Sequence, residues 1–173
     1  MGNPACGVGE VSDRPLNDYE TRILANVRDH GCHVVSVFDS EDDAKSFVYS
    51  VGFWESVGQP EVIILGLPAQ MGAFAVNETY RQCKAGLQLA EGQLIEGLLD
   101  GYDVTCMARA VDRQHLIPDY LNSALWYHNF RTGQPLDAVY QLVWTYEGRW
   151  PWDEAAPVEL LEDQPLLYSG KFH

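Results

Sequence analysis

Histidines and cysteines are the first residues to test for chemistry, because an imidazole beside a thiol can bind a metal or activate a nucleophile. His30, Cys32 and His33 sit close together in the chain. Cys32 and His33 are neighbours on a predicted strand, so their side chains point to opposite faces. His33 shares its face with Val35 and Val37 and reads as a core-edge histidine. His115 and His128 flank a predicted helix thirteen residues apart, on different turns. Cys6, Cys32, Cys83 and Cys106 form no C-x-x-C pair, so neither a zinc site nor a redox motif is written here. No G-x-S-x-G elbow is present.

Glycines and aromatics remain. Gly52, Gly58 and Gly66 lie within or between predicted strands and open no helix, which excludes a P-loop or a dinucleotide fingerprint. A strand glycine instead marks a bulge, a bend or a close approach of backbone or ligand. Barrel curvature is one use of Gly52 and Gly66. The other is a shared ligand cleft, which Tyr49, Ser50, Gly52 and Gly66 would line. Trp126, Tyr127, Trp144, Tyr146, Trp150 and Trp152 crowd the C-terminal half. A proline-fixed turn rarely buries both of its Trp neighbours, so Arg149, Trp150 and Trp152 form the candidate interaction surface. The carboxylates, Glu61 among them, carry no mark in the sequence that singles one out for acid–base work.

These residues must be positioned by ordinary elements. Asn17 and Glu20 have capping-box spacing, and Tyr19, Ile23, Leu24 and Val27 follow at helical spacing, so a helix is predicted over 18–29, stopped by Gly31. Strands are predicted over 32–38, 47–54 and 61–67, with an acidic turn at 39–43 and a connection at 55–60. A helix over 69–84, a strand over 103–111, a helix over 118–129 and a strand over 138–146 complete the order; 92–101 is left undecided. Short links between the first three strands favour antiparallel pairing. The expected fold is α+β, a mostly antiparallel sheet that could curl into a partial barrel, flanked by about three helices. Residues 1–16 read as a flexible arm, 17–153 as a single domain and 154–173 as an acidic tail packed on the surface.

The 173 residues carry a net charge of −14 with scattered Lys and Arg, which argues against nucleic-acid binding. Neither a signal peptide nor an apolar run of membrane length is evident. A cytoplasmic protein with reduced thiols and no metal is expected. An edge strand or the aromatic turn could support a homodimer.

Several segments taken in order resemble a known family: 30–37, Phe47-Val48-Tyr49-Ser50-Val51-Gly52-Phe53, Gln59 to Pro68, Gly101-Tyr102, and Gln141-Leu142-Val143-Trp144 leading into Gly148-Arg149-Trp150-Pro151-Trp152. This pattern is similar to the bacterial family called domain of unknown function 4262. That family often has His where this chain has Gln59, and Phe where it has Trp150. The resemblance implies a small bacterial cytoplasmic protein and brings no activity with it. Three readings follow: a non-catalytic module binding a protein partner or small molecule; a flavin- or nucleotide-binding split barrel, with FMN as its cofactor; and a thiol- or metal-dependent enzyme using Cys32, His33 or Cys106.

Overall fold

The computed structural model describes residues 14–39, 41–99, 101–102 and 104–168. Most of the expected arm, Cys6 and the end of the tail lie outside these. The first helix, α1 (Asp18–His30), starts where the sequence places it. The Asn17 side chain accepts the Glu20 amide at 2.7 Å, and the Glu20 carboxylate accepts the Asn17 amide at 3.0 Å. This closes a capping box. Gly31 ends the helix in the left-handed region, at φ 90°.

Strands β1 (His33–Asp39) and β2 (Asp42–Val51) form a hairpin, so the acidic run mostly belongs to its strands. The alternation from Phe47 stops at Val51. Beyond it the chain turns into a five-residue helix, α2 (Phe53–Val57), where a strand end and a loop were expected. Then come β3 (Glu61–Leu65), α3 (Ala69–Lys84), the two-residue β4 (Leu94–Ile95) and β5 (Cys106–Ala110). A 3-10 turn precedes α4 (Pro118–Thr132), β6 (Val139–Trp144) and α5 (Val158–Asp163), the last being a helix within the predicted tail.

The six strands lie in the order β1-β2-β3-β6-β5-β4. Every neighbouring pair is antiparallel except β3 with β6. The sheet is open, with edges at β1 and β4, and does not close into a barrel. The architecture is α+β, with five helices among the described residues.

Both faces of the sheet are covered. Val48, Val62, Ile64 and Leu142 pack with Ala75, Val76 and Cys83 of α3. Tyr49, Val51, Ile63 and Leu65 pack with Ile23 and Val27 of α1 and with Leu121, Ala124 and Tyr127 of α4. This explains why β3 is apolar on both faces: all five of its residues are buried. β1 has a similar sequence and a different fate. It is an edge strand, and Phe38 is 67% exposed. No helix among the described residues is long and apolar enough to cross a membrane.

Candidate functional site

The run from Ser50 to Glu61 is organised around one buried carboxylate. Gly52, at φ 99°, turns the chain out of β2 into α2, and Gly58, at φ 69°, turns it out again toward β3. Few residues other than glycine adopt these angles. The Glu61 side chain fills the turn. It accepts the Ser50 hydroxyl at 2.7 Å, the Gly52 amide at 2.8 Å and the Phe53 amide at 3.1 Å. The Ser50 oxygen in turn accepts the Val62 amide at 3.0 Å. Glu61 thus supplies the cap that α2 lacks from its own N-terminal residue. Burial pushes Glu61 up to about 7, against the opposite pull of Ser50 and the two amides.

α2 forms a wall of a cleft of about 470 Å³ whose other walls are α1 and α4. Leu24, Val27 and Arg28 come from α1, Glu55 and Ser56 from α2, and Tyr127, Phe130 and Arg131 from α4. Glu55 is the hub. The Tyr127 hydroxyl donates to it, and Arg131 donates through Nε at 2.9 Å and Nη2 at 2.6 Å. Burial raises Glu55, but Tyr127 and Arg131 outweigh it and hold the carboxyl below its usual range. Burial, reinforced by the bond to Glu55, pushes the Tyr127 phenol up, so it stays protonated and donating. Arg28, bonded to Asp29, is the second cation on the rim.

The residues singled out for a ligand cleft do not converge. Ser50 and Gly52 meet on Glu61. Tyr49 points into the α1/α4 layer, where its hydroxyl accepts the Ser123 amide at 2.9 Å. Gly66 lies against the Asp163 carbonyl and the Trp144 ring. A methyl on Gly52 would sit 2.8 Å from both methyls of Val27. The close approaches that both glycines permit are therefore made by the protein's own groups.

The aromatic turn is more embedded than its proline suggested. Trp150 and Trp152 stack at 5.2 Å and are half-buried, while Arg149 is exposed. Trp152 meets Tyr168 edge-on, and the buried Arg109 guanidinium lies 5.5 Å from the Trp152 ring centre and 4.0 Å from that of Tyr168. Arg109 also pairs with Glu91 at 2.5 Å. The set fastens the C-terminal segment to β5.

Cys32 and His33 do face opposite ways. Cys32 belongs to the α3 layer, and His33 bonds Asn26 of α1 at 2.9 Å. Burial pushes the Cys32 and Cys106 thiols up to about 12 and Cys83 to about 11, far from the thiolate that nucleophilic chemistry needs. Among the described residues no group of three or more His, Cys, Asp or Glu side chains could hold a metal ion.

The sequence does not show the Glu55 hub: it predicts a connection over 55–60 and a helix over 118–129 that stops short of Arg131. One signal existed: Tyr127 and Arg131 are four residues apart, hence on one helical face.

An open sheet with helices on both faces, and a small polar-and-apolar cleft between three of them, defines a compact α+β domain. The family model of the domain of unknown function DUF4262 matches residues 26–157, and the chain belongs to that family. No curated protein and no solved structure matches it.

Proposed function

We propose that the protein is a non-catalytic binding module whose α1–α2–α4 cleft takes a small anionic ligand with an apolar body. The observation that carries this reading is the Glu55 hub, which fixes Arg131 at the cleft beside Phe130 while Arg28 stands on the α1 wall. Glu55 occupies Nε and Nη2 of Arg131, and a guanidinium has further N–H groups to offer a carboxylate or phosphate. Leu24, Val27 and Phe130 supply an apolar floor. Each guanidinium is already paired with a carboxylate, Arg28 with Asp29 and Arg131 with Glu55, so the support for an anion comes from their remaining N–H groups. The buried, raised thiols favour binding over thiol catalysis.

Octanoate, octylamine, 1-octanol and FMN form the test panel, read by thermal unfolding. At 100 times its dissociation constant a ligand adds about 2.7 kcal/mol. Octanoate is expected to stabilise the wild type, octylamine to have no such effect, and the Arg28→Ala/Arg131→Ala variant to lose the response. Equal stabilisation by all three eight-carbon probes, or by none of them, would sink the reading. A shift with FMN alone would return the flavin alternative.

A further inference from the structure

A second cavity, of about 170 Å³, opens on another side of α2, between α2, the run 58–61, α4 and the chain entering β6. Neighbouring residues on the two helices divide between the cavities: Glu55 and Tyr127 line the first, Trp54 and His128 the second. Nothing in the proposed anion site uses the second cavity, and its chemistry is of the opposite kind.

Trp54 is 46% exposed. Its indole meets the His128 imidazole edge-on, with ring centres 5.4 Å apart. Asp137 lines the same space, Gln59 and Pro60 form part of its wall, and Glu61 lies at its buried end. No Lys or Arg is among the lining residues. Burial lowers His128, outweighing the opposite pull of Asp137, so the imidazole is neutral at neutral pH. The other ionisable side chains that line the space are acidic, Asp137 from the entering chain and Glu61 from β3, the latter with its carboxylate turned to Ser50, Gly52 and Phe53. An indole face beside a carboxylate, without a competing cation, is the arrangement that attracts an ammonium ion.

We propose that the cavity lined by Trp54, His128 and Asp137 is a binding site for a small organic ammonium ion, with the indole as its π-face and Asp137 as its counter-charge. The volume suits a compact ammonium headgroup. The imidazole makes the site proton-sensitive: protonated His128 would repel the ligand.

The probe is tetramethylammonium chloride, titrated into the full chain at pH 7.5 against sodium chloride at equal ionic strength. NMR of the Trp54 indole N–H and the His128 ring follows it, with assignments from Trp54→Phe and His128→Gln. Saturable shifts at both residues are expected, together with a lowered His128 titration midpoint in the bound state. Trp54→Ala should weaken binding at least tenfold and Asp137→Asn several-fold, while Trp54→Phe, which keeps a ring, retains a measurable part. The affinity should fall as pH drops through the His128 titration. Non-saturating shifts that match sodium chloride would overturn the site, as would affinity unchanged in both Trp54→Ala and Asp137→Asn. Trp54 and Asp137 are exposed, so folding of these variants is checked by circular dichroism, and Trp54→Phe carries the test if Trp54→Ala unfolds.

Discussion

Ser50 and Glu61 are locked together: the serine hydroxyl donates to the carboxylate at 2.7 Å while its oxygen accepts the Val62 amide at 3.0 Å. Two neighbouring strands and the first turn of α2 therefore share one hydrogen-bond network. All three groups that meet Glu61 are donors, so a substitute that presents an N–H there must oppose one of them. Glu61→Gln is expected to cost about 1–3 kcal/mol, and Ser50→Ala a similar amount through the stranded Val62 amide. Urea unfolding of each variant checks this. If Glu61→Gln matches the wild type in midpoint and slope, the network does not hold α2.

The pH dependence of stability has a predictable sign. Glu61 titrates at about 7 in the folded protein against an ordinary value of 4.5. Between those values the folded state keeps a proton that the unfolded chain has released. Stability from this group is thus fully present below about pH 4.5 and is lost as pH rises to 7, on the order of 3 kcal/mol. Glu20 acts in the other direction. The Arg14 guanidinium, helped by the Asn17 amide, holds it down at about 2, so its contribution is lost as pH falls from 4.5 toward 2. Denaturation midpoints measured from pH 4.5 to 8 should decline in the wild type and decline much less in Glu61→Gln.

Two glycines that flank α2 share a left-handed backbone and differ in their surroundings. Gly58 has nothing within 4 Å of where a methyl would sit, whereas Gly52 faces Val27. Gly58→Ala should cost about 1 kcal/mol, the backbone penalty alone. Gly52→Ala adds overpacking and should cost roughly 1–3 kcal/mol more. Equal midpoints for the two variants would show that the Val27 contact yields freely.

The aromatic turn separates in the same way. Trp152 carries the Arg109 and Tyr168 contacts, whereas Trp150 stacks on Trp152. Trp152→Ala is expected to destabilise by about 2–4 kcal/mol, more than Trp150→Ala. Thermal melts rank the two, and the reverse order would place the turn's anchor in Trp150.

Legibility in the sequence followed how local each cause was. The capping box of α1 and its Gly31 stop are short-range, and both were readable. β3 announced its central place because each of its faces meets a helix layer. α2 did not: it is five residues long, and the cap of its first turn comes from Glu61 on the next strand. The start of β2 was hidden because Asp42 and Asp43 are residue types that strands disfavour. Glu61 looked like any carboxylate, since burial of a charge is a tertiary fact. Glu55 lies far along the chain from Tyr127 and Arg131 and meets them only once α4 folds back on α2. Ser50 and Gly52, expected to line a ligand cleft, meet on Glu61.

The one parallel pairing in the sheet has a consequence for how the molecule comes together. β1, β2 and β3 form by successive local turns, but Glu61 meets Val139 only after α3, β4, β5 and α4 have been spanned. Closing so long a connection costs more entropy than closing a hairpin. The middle of the sheet is then expected to zip last, and the Trp144 indole donates to the Leu65 carbonyl at 2.7 Å across that seam. A chain cut between α3 and β4 should yield two pieces that recognise each other along this line, with the order of assembly written in the sheet.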